Sequence, residues 1–240
     1  MRKGRIDVLL SESDSDSKRG VKTKSKPPKN KKQLIQIIDA VYAKNCILSY
    51  TLLTQVYTGL RYSDASNLFW RDVYNFETEM YKQSFEVTQQ KVYRMVYQRA
   101  INSGYQHSIA KSKALKKAVY TVYISPALIE LLEDVAIINK KSAGNTFIFA
   151  NQNPRSKGNP LAIQSISKIL KAVQRELKLE FSLGTHSFRH FFSDEALRSG
   201  AKINTLKGLL GHNSITSTNA YINSDEDSKQ NIILKQKSYV

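Results

Sequence analysis

The sequence has few of the residues that mark several common classes of protein. It holds one cysteine, Cys46, in 240 residues, which excludes an intrachain disulfide and a disulfide-rich secreted scaffold. No apolar run approaches the roughly 20 residues that span a bilayer, and the first residues lack the apolar core of a signal peptide. These absences predict a cytoplasmic protein with no membrane association.

Acidic residues are also scarce, and the resulting charge is informative. The chain has 37 Lys and Arg against 20 Asp and Glu, a net charge of +17, and a pI near 9.8. Such a balance favours a polyanionic partner, and nucleic acid before a membrane surface. The hydrophobic content of 41% is enough for a core and excludes a wholly disordered chain.

The first 31 residues differ in composition from the rest. Residues 1–32 carry eleven Lys and Arg but four Asp and Glu, and this Ser/Lys-rich segment contains the pair Pro27-Pro28. It offers little to bury, so residues 1–31 are predicted to form a disordered basic arm. Such an arm would add phosphate contacts on DNA. A solubilising tail or a linker would have the same composition.

From residue 32 onward, the apolar residues recur at helical spacing or alternate as in a strand. A glycine at position 59 predicts the end of the second helix, and Ser125 with Pro126 predicts the start of a later one. Residues 74–112 are long, tyrosine-rich and polar, and FEVTQQKVYRMVYQRAI is compatible with a strand or a helix. The predicted helices are 32–45, 46–59, 61–73, 126–139, 160–177, 185–200, 203–212 and 215–222, with strands at 118–125 and 146–150.

Several residues that could take part in catalysis or metal binding are not informative when each is taken alone. His186, Arg189 and His190 fall at i, i+3 and i+4, on one helical face, where a solvated surface is the commoner arrangement. A zinc site at the two histidines is disfavoured, because no third ligand lies nearby and the Glu of a metalloprotease motif is absent. Tyr221 is one of thirteen tyrosines, most of which are expected to pack.

The order of four short motifs is far more specific. Thr-Gly-Leu-Arg lies at 58–61, His-x-x-Arg-His at 186–190 and Leu-Gly-His at 210–212, and a tyrosine follows nine residues later. In this order and spacing they resemble the tyrosine recombinase (phage integrase-type) family, which cuts and rejoins DNA through a phosphotyrosine. The matching residues are Arg61, His186, Arg189, His212 and Tyr221, with Asp64 at the usual position of an acidic partner for the first arginine.

The resemblance implies a fold and a division of the chain. It implies an α+β, mainly helical catalytic-domain fold with a small antiparallel sheet, over residues 32–223. Residues 74–112 would then be an insertion that reaches DNA or a neighbouring subunit. Residues 224–240 would be a tail that docks on a neighbouring protomer, although folding back on its own domain is an equal alternative.

The resemblance also implies a chemistry that needs no metal and no cofactor. The guanidinium groups of Arg61 and Arg189 would clamp the phosphate oxygens, and His212 would donate a hydrogen bond to them. Tyr221 would attack the phosphorus, with His186 as the acceptor of its proton. Because a DNA phosphodiester is exchanged for a tyrosyl phosphodiester, the strand can be rejoined without ATP.

A lysine on a β-hairpin would supply the proton for the leaving 5′-oxygen. The segment AKSKALKKAVYTVYIS places four lysines just before a predicted strand. Lys113 is the first choice and Lys116 the second, while Lys111 and Lys117 stay open because the register of the hairpin is uncertain. Any of these lysines could instead make an ordinary phosphate contact.

The resemblance makes double-stranded DNA the expected partner, bound by a homo-tetramer on two DNA sites. Most relatives carry a helical DNA-binding domain before the catalytic one. Here only the basic arm precedes it, so either the chain is a truncation or recognition comes from the arm, from 74–112 or from an accessory DNA-binding protein. Three other functions are compatible with the motifs: a type IB topoisomerase-like enzyme, a hairpin-resolving strand transferase, and a non-catalytic DNA-binding protein of the same fold.

Overall fold

The computed structural model describes residues 25–211, and this range forms a mainly helical fold with two small antiparallel sheets. The predictions for His212, Tyr221, a helix at 215–222 and the tail lie outside the described residues. No helix between positions 25 and 211 is long and apolar enough to cross a membrane. In chain order the elements are α1 (Lys31–Tyr42), α2 (Cys46–Thr58), α3 (Tyr62–Ser66), α4 (Trp70–Val73), β1 (Tyr74–Asn75), β2 (Met80–Tyr81), β3 (Ser84–Thr88), α5 (Gln90–Asn102), α6 (His107–Ala118), β4 (Val119–Tyr123), α7 (Pro126–Ile138), a 3₁₀ turn (Pro154–Ser156), α8 (Ile163–Glu176), α9 (Thr185–Arg198) and α10 (Ile203–Leu209).

Helix α2 lies between the two main hydrophobic clusters of the domain. On one side Leu48 and Leu52 pack with α1, α8 and α9, and on the other Ile47 packs with α7 and the β3–β4 sheet. An element that buries both sides needs apolar or small residues nearly all round, as in CILSYTLLTQVYT. The helix thereby fixes its own C-terminal end, and the Thr-Gly-Leu-Arg motif that follows, at the centre of the fold.

The predicted helix boundaries at 59 and 125 are confirmed. Gly59 ends α2 in the left-handed region, with φ 68°, where glycine is favoured because it has no Cβ. An added Cβ at this position would lie 2.6 Å from the Phe192 ring. Ser125 accepts a hydrogen bond from the backbone N–H of Leu128, and Pro126 opens α7.

The single helix predicted over 61–73 is wrong, because the chain is extended between α3 and α4. Leu68 accepts a backbone hydrogen bond from Ile148, and Phe69 forms an isolated β-bridge with Phe147. The stacked rings of Phe69 and Phe147, 4.7 Å apart, hold this bridge. The same contact accounts for the short strand predicted at 146–150, which is a bridge rather than a strand of a sheet.

Strands β3 and β4 pair although a long helical segment separates them in the sequence. Their register places Thr88 opposite Val119 and Ser84 opposite Tyr123, so α5 and α6 occupy the place of a turn. We call residues 90–118 the helical hairpin. The first residues of the predicted insertion at 74–112 form β1, β2 and β3. The segment FEVTQQKVYRMVYQRAI contains both a strand and a helix.

The last residues of the predicted arm lie against the domain. Lys26 donates a backbone hydrogen bond to Ser182, Pro28 is buried, and Asn30 caps α1 through its side chain. The described fold therefore includes residues before 32, and residues 1–24 of the predicted arm lie outside the described residues.

Candidate active site

Arg189 joins two of the sequence motifs from the inside of the fold. It lies on α9 and is fully buried, with no exposed surface. Its Nη1 donates to the carbonyl oxygen of Gly59 at 2.5 Å, and its Nη2 donates to that of Leu210 at 3.0 Å. One guanidinium thus holds both the turn before Arg61 and the end of α10. The bidentate phosphate clamp predicted for Arg189 differs from this arrangement, in which both Nη atoms donate to backbone carbonyls.

Gln89 connects the same two turns through a second set of hydrogen bonds. Its Oε1 accepts a hydrogen bond from Nη1 of Arg61, and its Nε2 donates to the carbonyls of Leu210 and Gly211 at 3.2 and 2.8 Å. The residue is 1% exposed and lies between β3 and α5. A side chain with both a donor and an acceptor is required here, because one neighbour offers N–H groups and the others offer carbonyls.

Arg61 is the more accessible arginine of the cluster. It caps α3 in extended conformation, and its side chain is 18% exposed. The buried carboxylate of Asp64 lies 4.0 Å from its Nη1, which agrees with the predicted acidic partner. This pairing orients the guanidinium and leaves part of it open to an approaching anion.

His186 lies at the start of α9 in the positive field of the cluster. Loss of hydration around the ring lowers its pKa below the ordinary 6.5, and the charges of Arg189, Arg61 and Lys91 lower it further. Each of these effects disfavours the protonated ring. His186 is therefore neutral near pH 7, as an acceptor of a proton must be.

Tyr120, the second residue of β4, is a further member of the cluster. Its hydroxyl is buried, and burial raises its pKa to about 12; Asp64 also raises this pKa, while Arg189 and Arg61 lower it. Such a phenol stays protonated at neutral pH. Tyr120 thus forms part of the wall of the site and is poorly suited to attack a phosphate.

The family of the chain follows from a match over most of its length. A model of the family described as "Phage integrase family" matches residues 27–228. The chain belongs to the phage integrase family.

The tyrosine recombinase XerC of Bacillus pumilus (strain SAFR-032) is 30% identical over 109 residues, covering 44% of this chain and 34% of that protein. XerD of Corynebacterium glutamicum is 33% identical over 85 residues, covering 35% and 27%. The chain thus spans about a third of the length of these curated relatives.

Solved structures of family members share the fold. The XerA recombinase superposes with a TM-score of 0.59 at 14% identity, covering 87% of this chain and 65% of that one. The Tn1549 transposon integrase, solved with transposon right end DNA, gives a TM-score of 0.59 at 16% identity, covering 96% and 70%. XerH, solved bound to the palindromic difH substrate, gives 0.57 at 16% identity, covering 90% and 55%. The mainly helical, tyrosine-recombinase fold predicted from the motifs is confirmed.

The structure brings part of the predicted integrase site together. Arg61, Arg189 and His186 are linked by contacts and charges, and Gly211 holds the end of the Leu-Gly-His motif beside Gln89. Among residues 25–211, no three His, Cys, Asp or Glu side chains are grouped as they would be around a metal ion. His212 and Tyr221 lie outside the described residues.

Lys113 lies in a different environment from the one predicted. It is within α6, and its Nζ is 3.6 Å from the ring centroid of Tyr105, at the surface. Lys111, Lys116 and Lys117 also lie on α6, because the hairpin turn expected before β4 is replaced by helices. Lys91, three residues after β3, is the lysine whose charge acts on His186.

Three residues of the cluster are not predicted by the sequence motifs: Gln89, Lys91 and Tyr120. The alternating FEVT before Gln89 and the alternating VYTVY around Tyr120 are the signals that could have found them. Recognising the two segments as partners would have required pairing strands across the helical hairpin, which no short-range pattern indicates.

Gly211 is expected to tolerate no side chain. Its φ is +61°, and an added Cβ would lie 2.0 Å from Nε2 of Gln89 and 2.8 Å from the Tyr120 ring. Gly211→Ala should displace Gln89 and lower the stability by about 1–3 kcal/mol, and it should lower the DNA cleavage proposed below at least tenfold. Initial cleavage rates and thermal melts measure the two effects.

Two neighbouring glycines provide matched controls for that substitution. Gly208→Ala adds a Cβ in open space on α10, and Gly200→Ala adds one in open space at φ +88°. The first should leave cleavage and stability nearly unchanged, and the second reports the cost of a left-handed backbone alone. Equal losses in Gly211→Ala and Gly200→Ala would contradict a role for the contact with Gln89.

Proposed function

We propose that this chain is the catalytic part of a site-specific DNA recombinase, which cuts and rejoins DNA strands through a 3′-phosphotyrosine at Tyr221. The observation that carries the proposal is the contact of Arg189 with both Gly59 and Leu210. These two bonds join motifs about 150 residues apart in the sequence, next to Arg61. Membership of the phage integrase family supports the same chemistry.

The arginines of the cluster can balance the negative charge that develops on the phosphate during the reaction. Arg61 is partly exposed and oriented by Asp64 and Gln89, so its guanidinium can take a non-bridging oxygen in a charge-assisted hydrogen bond. Arg189 adds a buried positive charge beneath it and holds the turn that leads to His212. His212 would donate a second hydrogen bond to the phosphate.

The proposed reaction needs two proton transfers, one from Tyr221 to His186 and one from a lysine to the leaving oxygen. Tyr221 forms a bond to phosphorus while the bond to the 5′-oxygen breaks. The phenolic proton passes to His186, which is neutral near pH 7 because its pKa is lowered. The leaving oxygen receives a proton from a lysine. We propose Lys91 for this role, because it follows β3 by three residues and its charge acts on His186, and Lys113 is the alternative. Attack by the 5′-hydroxyl on the phosphotyrosine reverses both transfers and rejoins a strand.

The lowered pKa of His186 leads to a pH prediction. Cleavage should need the neutral ring, so its rate should rise with pH through a pKa below 6.5 and be level near pH 7. The free energy of unfolding should also rise with pH over this range. The ring of His186 binds its proton more tightly in the unfolded state, so the folded state loses stability as the pH falls below 6.5. An NMR titration of the His186 ring measures the pKa directly.

One substitution separates the causes of that pKa. Lys91→Gln removes one positive charge that acts on the ring, so the pKa of His186 should move upward toward 6.5. Lys116→Gln, on the same helical hairpin, serves as the control and should leave it unchanged. A pKa for His186 above 6.5 in the unmodified chain would contradict the arrangement described.

The test of the function is a covalent trap that needs no knowledge of the DNA site. A library of nicked genomic duplexes, in which the leaving strand can diffuse away, is incubated with the chain, denatured, and searched for protein-linked DNA. Adducts at a recurring sequence, linked through a 3′-phosphate, are expected. Free ends without adducts would indicate a nuclease, and relaxation of plasmids at any sequence would indicate the topoisomerase alternative. DNA retention without either would indicate a non-catalytic binder.

The partners follow from the same proposal. Double-stranded DNA is the substrate, and exchange between two sites calls for a homo-tetramer. The Tn1549 transposon integrase is solved in complex with transposon right end DNA. Recognition of the site is shared with the basic arm or an accessory DNA-binding protein. The chemistry requires no metal and no cofactor, and an intracellular, DNA-associated location goes with it. The names of its relatives, recombinases and an integrase, favour recombination over the hairpin-resolving alternative.

A further inference from the structure

The helical hairpin is a strongly one-sided charged element. No Asp or Glu occurs from position 87 to position 129, whereas this range holds seven basic residues. No cation of the helical hairpin can therefore be neutralised within it. The seven are Lys91, Arg94, Arg99, Lys111, Lys113, Lys116 and Lys117.

The packing of the helical hairpin directs this charge outward. Ala110, Ala114 and Ala118 recur every four residues and are at most 2% exposed, which lets α6 approach α5 closely. Ala114 and Ala118 pack with Tyr93 in a small hydrophobic cluster separate from the two main ones. Six of the seven cations are exposed, and Arg94 is half-buried. The unit is thus a small apolar interior covered by positive charge.

The base of the helical hairpin adjoins the catalytic cluster. The backbone N–H of Gln89 donates to the carbonyl of Ala118 at 2.9 Å, and the side chain of Gln89 contacts Arg61. An open groove of about 410 Å³ continues from this base along α10, and Lys117, Lys207 and Gly211 line it. An anion chain that passes the cluster therefore meets further cations on both sides of the groove.

The length of the helical hairpin sets its reach. A helix of 13 residues such as α5 is about 20 Å long at 1.5 Å per residue, which is about six base pairs of duplex at 3.4 Å each. We propose that the helical hairpin binds the phosphate backbone of duplex DNA beside the cleaved phosphate, over about that distance. This inference rests on the proposed function, because it takes the catalytic cluster as the point where the duplex is held.

The side chains favour a duplex over a single strand. Single-stranded nucleic acids are bound through aromatic platforms on which bases stack. Here Tyr93 is 1% exposed and Tyr97 is half-buried, and the exposed Tyr105 ring is covered by the ammonium of Lys113. The available groups are cations spread along two helices, which suits a regular array of phosphates.

The test uses the whole chain and a labelled duplex of arbitrary sequence of roughly 30 base pairs, since phosphate contacts are independent of sequence. The triple variant Arg99→Gln, Lys111→Gln, Lys116→Gln removes three exposed charges with little change in helix propensity. The matched control Arg99→Lys, Lys111→Arg, Lys116→Arg keeps all three charges. Affinity is measured as a function of salt, and thermal melts verify the fold of both.

The expected result is a weaker salt dependence in the Gln variant only. Each lost phosphate contact lowers the slope of log K against log salt by about 0.9, so three contacts lower it by about 2.7. Over a fourfold rise in salt, the unmodified chain should lose about fortyfold more affinity than the Gln variant. The Lys/Arg control should retain the slope of the unmodified chain.

Every other outcome overturns the inference. An unchanged slope in the Gln variant, or an equal fall in the control, would show that the charges do not bind phosphate. A slope that falls for duplex RNA but not for duplex DNA would make RNA the partner. A change in assembly size by light scattering with an unchanged slope would make the surface a subunit contact. Failure of the covalent trap in the unmodified chain would refute the recombinase proposal, while the salt slopes would still decide the role of the helical hairpin.

Discussion

Tyr221→Phe is expected to abolish the covalent protein–DNA adduct while leaving DNA binding and stability nearly unchanged. The substitution removes one oxygen, and that oxygen forms the bond to phosphorus in the proposed reaction. The expected loss is therefore complete within detection, larger than the roughly 10²–10⁴-fold effect of removing a proton-transfer group. Denaturing gels of trapped adducts measure it, with binding to the same duplex as the parallel readout.

Two other tyrosines make this prediction selective. Tyr120 lies in the described cluster, but burial raises its pKa to about 12 and encloses its hydroxyl. Tyr239 falls 27 positions after His212 instead of nine. Tyr120→Phe and Tyr239→Phe should both retain the adduct. An adduct that persists in Tyr221→Phe and disappears in either of the other variants would assign the nucleophile elsewhere and refute the proposed mechanism.

Arg189→Lys is expected to cost both stability and cleavage. The fully buried guanidinium donates to two carbonyls on different turns, and a single ammonium cannot reproduce that fork. With each charged hydrogen bond worth about 1.5–3 kcal/mol, the free energy of unfolding should fall by about 3 kcal/mol or more. The midpoint of thermal unfolding should then fall by about 10 °C. Cleavage should fall by about a thousandfold, because both turns lose their common anchor.

Arg61→Lys is the matched comparison. This arginine is partly exposed and contacts Asp64 and Gln89 at the edge of the cluster. Its replacement should lower the cleavage rate about a hundredfold while changing the free energy of unfolding by less than about 1 kcal/mol. Equal stability losses in the two variants, or none in Arg189→Lys, would show that Arg189 does not hold the turns together.

The sequence predicted two kinds of feature well: helix ends that depend on one or two neighbouring residues, and catalytic motifs that occur in a specific order along the chain. The caps at Gly59 and Ser125 are set by single residues that favour one backbone conformation or accept one hydrogen bond, and both were predicted. The catalytic motifs were found through their order along the chain. Neither kind of signal requires knowledge of what packs against the residue.

The failures share one physical cause, which is dependence on distant partners. The break between α3 and α4 exists because Phe69 pairs with Phe147. The register of β3 with β4 depends on pairing across the helical hairpin, so Gln89 and Lys91 could not be placed next to Arg61 and His186. For the same reason, the helix α6 that carries Lys113 precedes β4 where a turn was expected.

The pairing of Thr88 with Val119 has a consequence for how the family can diversify. Opposed residues of an antiparallel pair lie about 5 Å apart, so the two ends of the helical hairpin meet at adjacent points of the sheet. A segment joined through such neighbouring ends can be shortened, lengthened or exchanged without redirecting the strands. The helical hairpin can therefore differ in length or sequence without moving Gln89 and Tyr120, which lie outside it beside the arginines.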